Sequence, residues 1–217
     1  MNLIKMKKIF TLLMVLTIFF GHSQTENPEQ WKKLPGSVTL NDGTVKEGFI
    51  MRYSKIKSQK KVRFFEANND KKYTEYKPDQ LTSYVVADAF YKSIPYEGMT
   101  QKTKVFIQRT QEGKLSLYTY YLLSSDEKQQ AFTPNKKETS GIELDFTGES
   151  LSAEMIMLKD NGDQLNLASP KMILSFKSVM SKYLADCAPL SQKIANKESG
   201  YGVLNIMKIT EEYNKCF

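Results

Sequence analysis

Residues 37–51 of the chain read SVTLNDGTVKEGFIM. Two runs with strand-like composition flank the tripeptide Asn41-Asp42-Gly43. An Asp-Gly pair supplies the positive-φ positions that a tight β-hairpin turn needs. The stretch therefore predicts an antiparallel hairpin, and the chain that follows repeats the pattern.

Three further hairpins are predicted from short strand-like runs on either side of turn-forming residues. The paired runs are 62–65 with 73–76, 104–109 with 114–123, and 154–158 with 164–167. Short strands are also predicted at 84–86 and 90–92. Regularly spaced short strands with such turns indicate an antiparallel sheet curled into a small barrel or sandwich.

The hydrophobic period changes at Ser169-Pro170, where Ser169 fits a helix N-cap and Pro170 fits the first helical position. Pro189 then opens a second short helix, and a third begins at about Tyr201. Helical spacing predicts that the core face of the first helix consists of Ile173, Phe176, Met180, Tyr183, Leu184 and Cys187. The third helix is predicted to carry Leu204, Met207, Tyr213 and Cys216. The fold class is therefore α+β, with a β-rich domain over 37–168 and a helical C-terminal segment over 169–217.

The first 23 residues have the three parts of a secretory signal peptide. Lysines begin the segment, residues 9–20 (IFTLLMVLTIFF) form an uncharged, mostly apolar run, and cleavage is expected between Ser23 and Gln24. The apolar run would be about 18 Å long as a helix, too short for a bilayer core of about 30 Å. We expect an exported protein, periplasmic or secreted, whose mature chain has no transmembrane span and is at most peripheral to the outer membrane. Residues 24–36 are predicted to be a polar leader.

Cleavage of the signal peptide would change the net charge and the reactive side chains of the mature chain. It removes three of the 31 basic residues and the one histidine, which leaves 28 basic against 24 acidic residues. Ser-His-Asp catalysis, Cys-His catalysis and histidine-containing zinc sites are thereby excluded from the mature chain. We find no catalytic, metal-binding or cofactor motif. The sequence favours a non-enzymatic binding or structural component of the cell envelope, and the alternative is a carboxylate-dependent hydrolase acting on envelope glycans.

Six basic residues without an intervening acid mark the segment between the first two hairpins. They are Arg52, Lys55, Lys57, Lys60, Lys61 and Arg63. Such a run is either an anion-binding patch or a solvated loop between strands. The expected partner is an envelope protein or an anionic surface component, and export makes a nucleic acid partner unexpected. The sequence does not indicate an oligomeric state.

Two other sets of side chains stand out. Cys187 and Cys216 both lie in the helical segment, and export predicts a disulfide between them, with two buried reduced thiols as the alternative. Tyr118, Tyr120 and Tyr121 lie in one predicted strand. They fit the packing of a half-buried strand, and the alternative is stacking against carbohydrate.

A resemblance covers most of the mature chain. It is carried by residues 36–50 (GSVTLNDGTVKEGFI), 61–65 and 76–84, and by the segment from LADCAPL (184–190) to EEYNKC (211–216). These stretches resemble a set of uncharacterised exported proteins of Bacteroidetes with an N-terminal hairpin and a cysteine-containing helical tail. The resemblance implies localisation and layout, and it carries over no catalytic residue because that family has no established activity.

Overall fold

The structure is a computed structural model of the chain, and it describes residues 32–97, 102–123, 143–144 and 150–217. The predicted signal peptide, its cleavage site at Ser23 and Gln24, and most of the predicted leader lie outside these residues. Within the described ranges, no helix is both long enough and apolar enough to cross a membrane.

The described residues form one antiparallel sheet followed by helices. The strands are β1 (Lys33–Leu40), β2 (Val45–Met51), β3 (Val62–Phe65), β4 (Thr74–Tyr76), β5 (Leu81–Val86), β6 (Ala89–Glu97), β7 (Lys102–Gln111), β8 (Leu115–Leu123), β9 (Glu143–Leu144), β10 (Ser150–Lys159) and β11 (Gln164–Asn166). The helices are α1 (Lys55–Ser58), α2 (Pro170–Tyr183), α3 (Ala188–Ala195) and α4 (Ile206–Asn214), with a 3₁₀ turn at Val203–Asn205. The sheet order is β11-β10-β8-β7-β6-β5-β1-β2-β3-β4, and β9 pairs with β10. The predicted α+β class, with antiparallel strands before a helical segment, is confirmed.

The four predicted hairpins are present, as β1–β2, β3–β4, β7–β8 and β10–β11. In the first, Gly43 has a φ of +88° and its N–H donates to the Leu40 carbonyl at 3.0 Å. The Asp42 carboxylate accepts from the Thr44 N–H at 2.9 Å and fixes the same turn. Turn chemistry within a few residues therefore sets the register of each pair. β1 begins at Lys33, inside the predicted leader.

The short connection between β4 and β5 requires the sheet to curl. Four residues link these strands, although β1, β2 and β3 lie between them in the sheet order. A flat sheet would separate β4 from β5 by about 19 Å, whereas the link spans about 17 Å fully extended. It is also bent, because the Gln80 N–H donates to the Lys77 carbonyl at 3.0 Å. The described pairings include none between β4 and β5, so closure into a barrel or sandwich is not confirmed.

Gln59 lies where the pairing of β7 with β8 stops. The register pairs Gln108 with Thr119, and its continuation would place Phe106 opposite Tyr121. Instead, the Phe106 N–H donates to the Gln59 carbonyl at 2.9 Å. The Gln59 side-chain amide donates to the Tyr121 carbonyl at 2.8 Å and accepts from the Tyr121 N–H. Gln59 is 1% exposed and takes the place of the missing strand partner.

The helical segment packs on the β8–β10 part of the sheet. The buried residues of this core are Leu115, Leu117, Met157, Leu167, Met172, Met180, Leu184, Cys187, Leu190, Ile194, Ile206, Ile209 and Tyr213. At the end of α4, the Asn214 side chain accepts from the Leu115 N–H at 2.8 Å and donates to the Leu115 carbonyl at 2.9 Å. A side chain at Gly113 would collide with this amide, because its Cβ would lie 2.2 Å from Asn214. The β7–β8 turn is therefore shaped to receive the helical segment.

The predicted core face of α2 is wrong in its first turn. The Ser169 hydroxyl accepts from the Met172 N–H, as the predicted N-cap requires. Ser175, however, has non-helical backbone angles, φ −141° and ψ 37°, which kink the helix. The kink changes the rotation of the first turn, so Met172 is buried at 2% exposure and Ile173 is 38% exposed.

The predicted face of the last helix is wrong at Leu204 and Met207 and confirmed at Tyr213, which is buried. Leu204 and Met207 are exposed, whereas Ile206 and Ile209 are buried. The cause is the 3₁₀ turn at Val203–Asn205, which precedes α4 and delays its start relative to the prediction. A 3₁₀ turn advances fewer residues per turn than an α-helix, so spacing counted from Tyr201 points to the wrong face.

The predicted disulfide is present and joins Cys187 to Cys216, with their Cα atoms 6.0 Å apart. Beside it, the buried Lys159 ammonium pairs with the Asp186 carboxylate at 2.8 Å, and the Tyr213 hydroxyl donates to the same carboxylate at 2.6 Å. One covalent and two polar links therefore hold the start of α3 to the end of α4 and to the sheet.

Replacing both cysteines by serine should lower the free energy of unfolding by about 3–4 kcal/mol, because the bridge closes a long loop in the unfolded chain. Urea unfolding of the wild type and of the Cys187→Ser, Cys216→Ser variant measures the change. A reductant should lower the stability of the wild type by a similar amount and leave the variant unchanged. Two reactive thiols in the native protein would contradict the bridge.

Gln59→Met keeps the side-chain length but removes both hydrogen bonds to Tyr121. We expect a loss of about 2–5 kcal/mol in the free energy of unfolding, since a buried N–H and a buried carbonyl lose their partners. Urea unfolding measures it, and Gln192→Met on the exposed surface of α3 is the matched control. Equal stability of the two variants would show that Gln59 does not join the strands.

Candidate anion-binding surface

Five of the six predicted cations lie on an anchored segment between β2 and β3 and the sixth, Arg63, lies on β3, and we call the six the basic surface. They are Arg52, Lys55, Lys57, Lys60, Lys61 and Arg63. Within this segment the Ser54 hydroxyl caps α1 by accepting from the Lys57 N–H at 3.3 Å. Tyr53, Ser58 and Gln59 are buried, and the Tyr84 hydroxyl donates to the Ser58 carbonyl at 2.8 Å. The backbone of the segment is thus packed on the sheet, while its cationic side chains stay partly or fully exposed.

Aromatic rings position three of the cations. The Lys55 ammonium lies 4.3 Å from the centre of the Tyr121 ring and donates to the hydroxyl of that residue at 3.1 Å. The Lys57 ammonium lies 4.3 Å from the Tyr53 ring, and the Arg63 guanidinium 4.3 Å from the Tyr73 ring. A ring attracts a cation through its quadrupole and leaves the net charge in place. The rings therefore order these side chains without neutralising them.

Glu75 on β4 is a carboxylate that two of the cations share. Its Oε2 atom lies 2.9 Å from the Lys61 ammonium and 3.0 Å from the Arg63 Nε. The hydrogen bonds from Lys61 and Arg63 hold the pKa of the Glu75 carboxyl below its usual value. Residues 52–76 contain eight basic and three acidic side chains, so the segment keeps a clear positive excess.

The pKa of Lys57 reflects its partial burial and the neighbouring positive charges. Desolvation lowers the pKa of the Lys57 ammonium, and repulsion from Lys61 and Arg63 lowers it further. Lys60, between them in the sequence, is exposed. A bound anion would relieve the repulsion among these groups, because each cation would then face an opposite charge.

Sequence reasoning identified the cations but missed most of their ring partners. Tyr53 lies inside the basic run, whereas Tyr73 immediately precedes β4 and Tyr121 lies 66 residues from Lys55. No local spacing connects residues so far apart. The alternation of strand positions could have placed Tyr73 near Arg63 once β3 and β4 were paired.

Metal binding and carbohydrate stacking are the two other chemistries to consider among the described residues. They contain no group of three or more His, Cys, Asp or Glu side chains placed to hold a metal ion. Tyr118 and Tyr121 are buried, which fits the packing interpretation, while Tyr120 is half-buried.

Comparison with known proteins finds no matching family model, no matching curated protein and no matching solved structure. The resemblance to exported proteins of Bacteroidetes therefore stays a prediction. The basic surface is interpreted from its own residues and contacts.

The Glu75 carboxyl should titrate below the pH at which an ordinary glutamate does. Its pKa is lower in the folded than in the unfolded chain, so its stabilising effect is complete above the unfolded value and is lost as the pH falls through the folded one. Carbon-detected NMR titration measures it. Arg63→Gln should raise the pKa of Glu75, and Lys60→Gln, which leaves both Glu75 partners in place, should not. An ordinary pKa in the wild type would contradict the pairing.

Proposed function

We propose that the protein is an exported, non-enzymatic binding protein that attaches to an anionic component of the cell envelope through its basic surface. The observation that carries the proposal is a run of six cations, four of which (Lys55, Lys57, Lys61 and Arg63) are held by tyrosine rings or by one shared carboxylate. The rings position the cations without neutralising them, and the Glu75 carboxylate offsets only part of the positive charge. A cell envelope offers phosphate and carboxylate groups at its surfaces, and these complement such a surface.

Two further features support a location outside the cytoplasm. The Cys187–Cys216 disulfide is typical of an oxidising compartment outside the cytoplasm. The predicted signal peptide supports the same location, periplasmic or secreted. Outside the cytoplasm a lipid or glycan anion is a more available partner than a nucleic acid.

The fold suits a docking role. The four-residue link between β4 and β5 curls the β5-β1-β2-β3-β4 part of the sheet, and we infer a small, partly open barrel there. The basic surface lies on the β2–β3 connection of this part, where Gln59 anchors it to β7 and β8. A rigid platform loses little conformational entropy when a ligand binds, and this favours affinity.

A vesicle experiment tests the proposal. The protein should sediment with vesicles that contain phosphatidylglycerol and remain in solution with vesicles of phosphatidylcholine alone. Replacing Lys57, Lys60 and Lys61 by glutamine should weaken association by about fivefold for each charge removed, because each cation near an anionic surface contributes about 1 kcal/mol. Raising the salt concentration should weaken it as well.

The matched control replaces Lys171, Lys177 and Lys182 on α2, which are exposed and give the same change in net charge. This control should bind as the wild type does. Urea unfolding of both triple variants checks that each remains folded. Equal weakening by both would show that net charge and not the basic surface drives association, and no association of the wild type would contradict the proposal.

A further inference from the structure

A second cluster of polar and aromatic side chains lies on the face of the sheet opposite the helical segment. Along β10, Met157 packs with the helices, whereas Ile156 and Leu158 belong to a separate core with Ile94, Val105, Ile107 and Tyr118. Side chains alternate between faces along a strand, so Glu154 shares the face of Ile156 and Leu158. At the edge of that core, β6, β8, β10 and β11 bring together Tyr96, Tyr120, Glu154 and Asn166, which we call the tyrosine–carboxylate cluster.

The cluster is built around one oxygen atom. The Tyr96 hydroxyl donates to the Glu154 Oε2 atom at 2.7 Å, and the Asn166 amide donates to the same atom at 3.4 Å. Tyr120 lies directly opposite Glu154 in the β8–β10 register. The ring centres of Tyr96 and Tyr120 are 4.4 Å apart, with planes inclined by 35°. The two rings and the carboxylate therefore form one compact unit.

Within the residues that the structure describes, no positive charge balances that of Glu154. Among the described residues, no hydrogen bond reaches the Oε1 atom of Glu154 and no ammonium or guanidinium pairs with its carboxylate. Glu154 and both tyrosines are half-buried. A carboxylate partly removed from water is stabilised by an opposite charge, and this one has none from the chain that the structure describes.

The tyrosines respond to the same negative charge. Burial, followed by the hydrogen bond to Glu154 and its charge, raises the pKa of the Tyr96 hydroxyl well above the usual range. Burial and the Glu154 charge likewise raise the pKa of Tyr120. Both rings thus stay neutral phenols, and their faces can attract a cation.

We propose that the tyrosine–carboxylate cluster binds an organic ammonium group. The Glu154 carboxylate serves as its counter-ion through Oε1, and the Tyr96 and Tyr120 rings contact its methyl or methylene groups. A calcium ion needs six to eight oxygen ligands and a single carboxylate does not supply them. A neutral sugar would leave the carboxylate charge unbalanced. The site goes beyond the proposed function, because it lies on other strands than the basic surface and takes the opposite charge.

Calorimetric titration with choline and with Nα-acetyl-lysine amide tests the site and separates a quaternary headgroup from a lysine side chain. We expect heat of binding with at least one of them, none with glucose, and ring NMR signals of Tyr96 and Tyr120 that move on addition. Glu154→Gln keeps an acceptor for Tyr96 and removes the charge, so it should weaken binding by about tenfold or more. Tyr120→Leu, which removes one ring, should also weaken it.

The matched control is Glu198→Gln, an exposed glutamate after α3 that should leave ammonium binding unchanged. Urea unfolding of each variant checks that the fold is kept. Binding of equal strength by wild type and Glu154→Gln, or binding of glucose without either ammonium compound, would overturn the proposal. Absence of binding with all three probes would overturn it too, and vesicle association through the basic surface would be unaffected by that result.

Discussion

Gln59 inserts between β7 and β8 and bonds to both strands. Two neighbouring strands cannot part within a protein unless the N–H and carbonyl groups they release find other partners. Gln59 supplies those partners with a carbonyl for Phe106 and with an amide that matches both backbone groups of Tyr121. A primary amide suits this place because it is a donor and an acceptor at once. The β2–β3 connection is thereby built into the middle of the sheet.

The basic surface is a consequence of that insertion. The single turn α1 precedes Gln59, and only Lys60 and Lys61 separate Gln59 from β3. Lys57, Lys60 and Lys61 are therefore carried by backbone that is fixed on both sides. Fixing like charges close together costs electrostatic energy, and the shared Glu75 and the neighbouring rings reduce that cost only in part. An anion that binds there gains from repulsion already present in the free protein. The same bonds that keep the sheet satisfied therefore prepare the surface for a ligand.

Local chemistry explains which parts of the fold could be predicted. The hairpins depend on turn residues such as Asp42-Gly43, and the start of α2 depends on Ser169, so a short window contains the cause. The exposure of Ile173 could not be predicted in this way, because the kink at Ser175 interrupts the helical period. The role of Gln59 could not be predicted, because its partner Tyr121 is 62 residues away in the sequence. A glutamine in a lysine-rich run is also typical of a solvated segment. Glu154 was missed for a similar reason, because its tyrosine partners lie on other strands.

The arrangement of the sheet separates the parts that stabilise from the parts that bind. The disulfide, the Lys159–Asp186 pair and the Asn214–Leu115 bonds all join the helical segment to β8 and β10 or to itself. The β2–β3 connection reaches β8 at Tyr121, whereas the helical segment bonds to β8 at Leu115, at the other end of that strand. A ligand on the basic surface would therefore bind away from the links that hold the helical segment. Because the helices cover one face of β10 and the tyrosine–carboxylate cluster occupies the other, an ammonium ligand would also bind without displacing a helix. The two candidate sites can therefore be altered by mutation with little cost to the core, which is what makes their opposite charge preferences separable by experiment.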